Sequence, residues 1–250
     1  MPDARPEPYG VRGGARTTHR RGRMSTAKRA VLEELGPRWS ISPADVVLPD
    51  RVASSYGRVA PLLVDIGGGM GEATRAWATQ HPDHDVVAVE LHRPGLARVL
   101  KELDLEGPTN VRVVEADATA LMAQWPEAWL AGIRVLFPDP WPKRRHVDRR
   151  LVDTRFIHRA ADLLAPGGVL HLATDWPEYA DQMRACLATE PRLVGVVDVV
   201  DQPKPLDETT AEVPAGEPWR SHRPDRPVTA YEARGSGAGR PIADLLARRV

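Results

Sequence analysis

The chain contains a single cysteine in 250 residues, Cys186, so no disulfide can form within it. It also lacks an apolar run long enough to cross a bilayer, and its first ten residues, MPDARPEPYG, lack the apolar stretch of a secretory signal. Neither sign of charge is in excess, because 34 lysines and arginines balance 34 aspartates and glutamates. This balance excludes a surface coated with positive charge but leaves room for local basic patches. The absences predict a cytoplasmic protein in a reducing compartment.

Two common nucleotide-binding motifs are missing as well. No G-x-x-x-x-G-K-[ST] segment occurs, which excludes a P-loop NTPase. The glycine-rich segment at residues 67–71 (GGGMG) does not complete the dinucleotide fingerprint G-x-G-x-x-G, because Glu72 or Thr74 stands where the last glycine belongs. A nicotinamide-dependent dehydrogenase is therefore disfavoured.

The composition that is present is globular, with 42% hydrophobic and 27% charged residues. Proline and arginine concentrate near the start, and proline again across residues 201–227. We therefore predict a flexible basic arm at residues 1–23 and a single domain at residues 24–250 that carries a Pro-rich loop at about 201–227. The first predicted helix covers residues 25–35, with Ser25 or Thr26 as its cap.

From residue 61 onwards, short apolar runs alternate with segments of helical length. Strands are predicted at residues 62–66, 86–89, 111–114, 133–137 and 169–173, with a final pair at 194–200 and 228–231. Helices are predicted at residues 72–80, 155–164 and 178–187, and a turn at Pro166-Gly167-Gly168. Apolar strands separated by helices indicate an α/β fold with a doubly wound, mostly parallel sheet.

Acidic residues recur where these predicted strands end. Ligands bind outside the carboxyl ends of parallel strands, where five carboxylates along one edge would repel one another unless a ligand or cations compensate them. This edge is the predicted active site, and the acids are Asp65, Glu90, Asp117, Asp139 and Asp175.

The positions of three of these acids favour a particular ligand. Glu90 follows Asp65 by 25 residues, where an acid on the second strand can accept hydrogen bonds from ribose hydroxyls. Asp117 on the third strand can accept from an adenine amino group, and Asp65 beside the glycines suits a cationic amino group. A nucleoside joined to an amino acid, without phosphate and with a positive sulfur, describes S-adenosylmethionine. The pattern predicts a Rossmann-like class I methyltransferase.

Three further blocks are more specific. They are residues 137–152 (FPDPWPKRRHVDRRLV), 173–180 (ATDWPEYA) and 227–235 (PVTAYEARG), together with Gly22-Arg23 and the helix beyond. In this order they closely resemble the bacterial tRNA (guanine-N7-)-methyltransferases, over nearly the whole chain after the first dozen or so residues. The chain departs from that pattern at Lys28, Tyr231 and Asp148, and within residues 67–69.

The resemblance implies a seven-stranded, mostly parallel sheet with a last antiparallel hairpin, and methylation of guanine N7 in the variable loop of tRNA. It implies that S-adenosylmethionine is held by Asp65, Glu90, Asp117 and Asp139, beside the turn glycines Gly67, Gly69 and Gly71. It implies that the guanosine is held by Lys143, Asp175, Thr229, Ala230, Tyr231 and Glu232. The RNA would meet Arg144, Arg145, His146, Arg149 and Arg150, and no obligatory protein partner is expected.

The reaction itself limits what the protein must supply. Guanine N7 carries a lone pair and no proton, so its methylation needs no general base. We therefore expect Asp139 to be the central carboxylate, orienting guanine or methyl donor. No metal is expected, and His81, Asp83, His84 and Asp85 are interpreted as a surface turn despite their ligand types. The alternatives are methylation of another RNA or of an amino nitrogen, and a catalytically silent RNA-binding protein on this fold.

Overall fold

A computed structural model describes residues 24–105, 107–201 and 226–250. The predicted arm at residues 1–23 and nearly all of the predicted Pro-rich loop lie outside the described residues. The strands are β1 Leu62–Ile66, β2 Asp85–Val89, β3 Val111–Val114, β4 Leu130–Leu136, β5 Leu164–Thr174, β6 Leu193–Asp201 and β7 Ile242–Arg249. The helices are α1 Thr26–Trp39, α2 Pro49–Tyr56, α3 Glu72–Gln80, α4 Arg93–Asp104, α5 Ala118–Met122, a 3₁₀ helix Arg144–Arg149, α6 Thr154–Leu163, α7 Pro177–Leu187 and α8 Ala230–Gly237.

All seven strands form one sheet in the order β3-β2-β1-β4-β5-β7-β6. The first five are parallel, whereas β7 runs antiparallel to both of its neighbours, β5 and β6. The predicted α/β fold with a mostly parallel, seven-stranded sheet is confirmed. The strand order reverses between β1 and β4, which places the switch point of the sheet, and hence its natural ligand crevice, at the carboxyl ends of these two strands.

Helices cover both faces of the sheet because the apolar side chains of its strands alternate in direction. Leu62 and Val64 of β1 pack into a core with residues of α2, α5, α6 and α7. Leu63, between them, packs into a second core with residues of α1, α3 and α4. This alternation is the period of two expected of a strand buried on both faces.

Two predictions about local structure were wrong. Residues 228–231 form no strand, because Thr229 caps α8 and its Oγ1 accepts a hydrogen bond from the backbone N–H of Glu232 at 3.1 Å. The last strand is β7. Its alanine, leucine and arginine residues favour a helix, but β7 is extended because it pairs with β5 on one side and with β6 on the other. The segment Pro166-Gly167-Gly168 lies within β5, where the register against β4 shifts and Gly167 has φ +82°.

Candidate active site

A cleft opens at the carboxyl ends of β1 and β4. Residues 67–71, the glycine turn, leave β1 with φ of +78° at Gly67, +59° at Gly69 and +89° at Gly71, which glycine adopts at little cost. The Gly67 N–H donates to the carbonyl of Val89 at 2.8 Å and so ties the turn to β2. The cleft is lined by Asp65, Gly67, Gly68, Gly69, Met70, Gly71, Glu72, Ala73, Leu136, Phe137, Thr229, Ala230 and Tyr231.

Asp65 lies beneath this turn, and its side chain is only 3% exposed. Thr74 Oγ1, in the first turn of α3, donates to Asp65 Oδ2 at 2.6 Å. Arg134 of β4 forms a buried ion pair with the same carboxylate at 2.9 Å, and its guanidinium stacks over Trp77. Arg134 was missed by the sequence analysis, although a lone cation in an apolar strand signals a buried partner. Asp65 therefore fixes the start of α3 while lining the cleft.

Glu90 follows β2 and connects that strand to the glycine turn. Burial raises the pKa of its carboxyl group, and hydrogen bonds from the N–H groups of His92, Gly69 and Leu91 oppose this rise. The His92 N–H donates to Glu90 Oε1 at 2.8 Å. A Cβ at Gly95 would lie 3.1 Å from Glu90 Oε2, so α4 begins in close contact with this carboxylate.

Asp117 lies after β3 and serves as the N-cap of α5. Its Oδ1 accepts from the backbone N–H groups of Thr119, at 2.8 Å, and Ala120, at 3.3 Å. The Thr119 hydroxyl donates to the same oxygen at 2.6 Å. These bonds fix the orientation of the carboxylate beyond the carboxyl end of β3.

Asp139 is exposed and lies in residues 137–143, the Asp139 loop, which joins β4 to the 3₁₀ helix. Two residues flanking it, Phe137 and Trp141, have positive φ of +52° and +43°, which costs on the order of 1 kcal/mol for each. The loop is held at both ends, because the Phe137 N–H donates to the carbonyl of Ala173 and Arg150 Nε donates to that of Pro140. Strained backbone held in this way is common at functional sites.

Beyond this loop, the 3₁₀ helix presents a group of exposed cations, Lys143, Arg144, Arg145 and Arg149. Arg149 stacks over the Trp141 ring at 5.0 Å, and His146 meets the edge of that ring. Desolvation and the neighbouring cations, first Arg149 and then Arg145, lower the pKa of His146.

Arg150 differs from the four cations before it, because it is only 5% exposed. Its guanidinium donates to the carbonyl of Pro140 at 2.7 Å and to Gln182 Oε1 at 2.7 Å, and it stacks over Tyr179. The sequence grouped Arg150 with residues facing RNA, whereas the structure places it between the Asp139 loop and α7.

Asp175 follows β5 and contacts the C-terminal part of the chain. Its Oδ2 accepts from Arg240 Nε at 2.9 Å. A Cβ at Gly235 would lie 2.8 Å from Asp175 Cβ, so α8 packs directly on this acid. Asp175 therefore lies between the end of the sheet and the helix that begins at the cleft.

The opposite side of the cleft is formed by Thr229, Ala230 and Tyr231, which we call the cleft wall. The Tyr231 side of the wall approaches the turn so closely that a Cβ at Gly69 would lie 3.2 Å from Tyr231 Cε2. Arg234 stacks on the outer part of this ring, at 5.3 Å. The wall is followed by Glu232, which is buried and bonded to Arg226.

A possible metal-ligand group lies at the start of β2, at the edge of the sheet opposite to the cleft. The ligand atoms of His81, Asp83 and His84 all lie within 4.8 Å of one another. The Asn110 amide donates to the carbonyls of His81 and His84, and Arg58 also holds the segment. These bonds fix residues 81–84 as the turn that joins α3 to β2.

Along the described parts of the chain, no helix combines the length and apolar character needed to span a membrane.

The fold and the cleft at its switch point are Rossmann-like, and comparison with known proteins gives the class, a methyltransferase. Two solved methyltransferases share the fold with TM-scores of 0.51: an antibiotic-related methyltransferase, 13% identical, and the 16S rRNA methyltransferase KamB, 14% identical. Each similarity covers 80% of this chain, and 94% and 91% of those chains respectively. A profile described as "Putative methyltransferase" matches residues 59–245.

Closer relatives give the particular family. The tRNA (guanine-N(7)-)-methyltransferase of Thiobacillus denitrificans is 41% identical over 232 residues, covering 92% of this chain and 92% of the relative. That of Ralstonia nicotianae is 42% identical over 233 residues, covering 92% and 84%. That of Alkalilimnicola ehrlichii is 37% identical, covering 92% and 90%. The chain belongs to the tRNA (guanine-N(7)-)-methyltransferase family, as the resemblance predicted.

Proposed function

We propose that the chain transfers a methyl group from S-adenosylmethionine to N7 of a guanine in the variable loop of tRNA, in the cytoplasm and without an obligatory protein partner or a metal. The observation that carries this proposal is the position of the exposed cations of the 3₁₀ helix directly after the Asp139 loop, which itself follows β4 at the cleft. A methylated base must enter the cleft while its phosphate backbone stays outside, where cations can neutralise it.

The cleft fits a nucleoside without phosphate groups better than it fits a dinucleotide. The glycine turn lets a ligand approach the backbone closely. The space beside Gly67 is open, because a Cβ added there would meet nothing within 4 Å. We propose that this turn, at Gly67, Gly69 and Gly71, and the acids Asp65, Glu90, Asp117 and Asp139 hold S-adenosylmethionine. The cofactor supplies a methyl group bonded to a positively charged sulfur.

Around the incoming guanosine, we assign roles to Lys143, Asp175, Glu232 and the cleft wall. Lys143 is the N-cap of the 3₁₀ helix, the wall lines the cleft, and Asp175 packs against α8, the helix that includes the end of the wall. Glu232 acts through the wall, since its carboxylate is buried. Because N7 loses no proton, these groups need only align N7 with the methyl group, and alignment alone can account for large rate effects.

We assign contact with the RNA backbone to His146 and to three exposed arginines, Arg144, Arg145 and Arg149. Trp141, stacked on Arg149, extends this surface towards the cleft. Arg150 has its guanidinium bonded inside the protein, so we assign it the positioning of the Asp139 loop.

The direct test is methyl transfer from labelled S-adenosylmethionine to unmodified tRNA, followed by nucleoside analysis and mapping of the product. We expect 7-methylguanosine in the variable loop. A different methylated nucleoside would overturn the substrate assignment while leaving the fold and cofactor in place. Absence of S-adenosylmethionine binding would overturn the whole proposal.

Asp139→Ala tests the catalytic role. We expect kcat to fall by about 100-fold or more, because the carboxylate orients the reacting groups. The matched control is Asp148→Ala, which removes another exposed acid only nine positions along the chain, within the 3₁₀ helix, and should leave kcat unchanged. Steady-state kinetics across pH should show no dependence on a single base. Nearly intact activity of Asp139→Ala would refute the assignment.

A further inference from the structure

We propose that Arg226 is a positioning residue. It holds the cleft wall and the Asp139 loop in place relative to the glycine turn, and in this way it sets the affinity for the methyl donor. The inference builds on the proposed function, since it concerns the same cleft. Neither the resemblance nor the reaction pointed to Arg226, which directly follows the part of the chain outside the described residues.

Arg226 makes a set of short, buried ion pairs. Its Nε and Nη2 donate to Oδ1 and Oδ2 of Asp244 in β7, at 2.9 and 2.7 Å. Its Nη1 donates to Oε2 of Glu232 in α8, at 2.5 Å. The three side chains are between 1% and 5% exposed. A guanidinium that bridges two buried carboxylates joins the sheet to the first turn of α8, and bidentate pairing fixes its orientation.

The first turn of α8 is continuous with the cleft wall. The Thr229 hydroxyl oxygen accepts from the Glu232 N–H, so the carboxylate bonded to Arg226 and the start of the wall belong to one capped turn. Tyr231 lies between them and approaches Gly69. A shift of Glu232 would therefore move the wall relative to the glycine turn.

Arg226 also contacts the opposite side of the cleft. Its guanidinium lies over the ring of Phe137 at 5.4 Å, and Phe137 lines the cleft two residues before Asp139. Phe137 has positive φ, so its backbone needs support from its surroundings. One buried cation thus contacts both the loop that carries Asp139 and the turn that carries the wall.

His171 of β5 contacts the carboxylate of Asp244 that binds Arg226. Its Nε2 lies 2.9 Å from Asp244 Oδ1. Burial, aided by Arg134 and Arg226, lowers the pKa of His171, and the contact with Asp244 opposes this change. Burial opposes ionisation of Asp244, but the hydrogen bonds from His171 and Arg226 outweigh it and lower the pKa of Asp244 to about 2. Asp244 is therefore a fixed anion that orients Arg226.

The chain offers a control elsewhere, Arg192, whose side chain is 39% exposed whereas that of Arg226 is 1% exposed. Arg192 also forms a bidentate pair with one carboxylate, Glu190, at 2.8 and 2.7 Å, and a third bond to a second one, Asp162, at 2.8 Å. It lies just before β6 at the edge of the sheet away from the cleft. Its loss removes the same kinds of bonds without touching the cleft.

The experiment compares Arg226→Gln, Arg226→Lys and Arg192→Gln in the full chain. Calorimetry measures the Kd for S-adenosylmethionine without RNA, kinetics measure KM for tRNA and kcat, and thermal unfolding measures Tm. We expect Arg226→Gln to raise the Kd about tenfold or more and to lower kcat, and Arg226→Lys to recover part of both. Arg192→Gln should lower Tm without changing Kd or kcat.

Two results would overturn the inference. One is an unchanged Kd and kcat in Arg226→Gln, which would leave Arg226 a purely stabilising residue. The other applies if Arg226→Gln does not fold, in which case Arg226→Lys decides. If Arg226→Lys keeps the wild-type Kd and kcat while its Tm is lowered, the positioning role is refuted. Because the Kd is measured without RNA, a wild-type protein that binds S-adenosylmethionine but methylates no tRNA guanine would refute the proposed function and leave this comparison intact.

Discussion

At the scale of single residues, Gly67 and Gly69 show two different reasons for a glycine. Both have positive φ, which a residue with a Cβ adopts at a cost of about 1 kcal/mol. A Cβ at Gly67 would meet nothing within 4 Å, whereas one at Gly69 would lie 3.2 Å from Tyr231. Gly69 therefore serves the close approach of the cleft wall as well as the turn.

This difference gives a prediction with its own control. Gly69→Ala should weaken S-adenosylmethionine binding more than Gly67→Ala, because only the former displaces Tyr231 in addition to straining the backbone. The expected gap in Kd is several-fold, measured by calorimetry on both variants. Equal losses of affinity would mean that backbone strain alone explains both glycines and that the contact with Tyr231 is irrelevant.

At the scale of elements, the 3₁₀ helix combines two kinds of arginine that the sequence does not distinguish. Arg145 is exposed and Arg150, which caps the end of the helix, is buried and bonded to Pro140 and Gln182. The difference depends on α7 packing beside the loop, which is a tertiary contact and leaves no local signature.

We therefore expect two alanine variants to affect different properties, tRNA binding in one and stability in the other. Arg145→Ala should weaken tRNA binding and reduce the dependence of log K on log salt by about one, with no change in Tm. Arg150→Ala should lower the free energy of unfolding by about 1 to 2 kcal/mol, because it leaves part-buried acceptors without their donor. Filter binding at several salt concentrations and urea unfolding measure the two effects. A salt effect confined to Arg150→Ala would reverse the assignments.

Prediction from sequence succeeded where the pattern is local. Strands β1 to β3 and helix α3 could be predicted because apolar runs, glycines and helical spacing mark them within a few residues. β7 could not, since its helix-forming residues are extended only because β5 and β6 pair with them. The acids at strand ends could be located in the same way, but Arg134, the partner of Asp65, and Arg240, the partner of Asp175, come from distant segments.

For the whole molecule, the buried pair of His171 and Asp244 links stability to pH. Because the pKa of His171 is lowered from 6.5 in the folded state, the unfolded chain binds a proton just below pH 6.5 that the folded chain does not. Stability is therefore lost as pH falls below 6.5. The lowered pKa of Asp244 adds a second loss between pH 3.8 and about 2.

His171→Gln isolates the first effect, since the other histidines remain in both proteins. Below pH 6.5 the free energy of unfolding of the wild-type protein should fall by up to about 1.4 kcal/mol per pH unit more steeply than that of the variant. Urea unfolding at a series of pH values measures both slopes. Parallel slopes would show that His171 titrates alike in the folded and unfolded states.

The order of the strands has a consequence for synthesis on the ribosome. β7 is made after β5 and β6 but lies between them, and within the described residues β6 pairs with β7 alone. A nascent chain therefore carries β6 without a partner until β7 emerges, and an unpaired edge invites aggregation. The cleft wall is also made between these strands. Completion of the sheet and the pairing of Arg226 with Asp244 of β7 therefore both wait for the last strand.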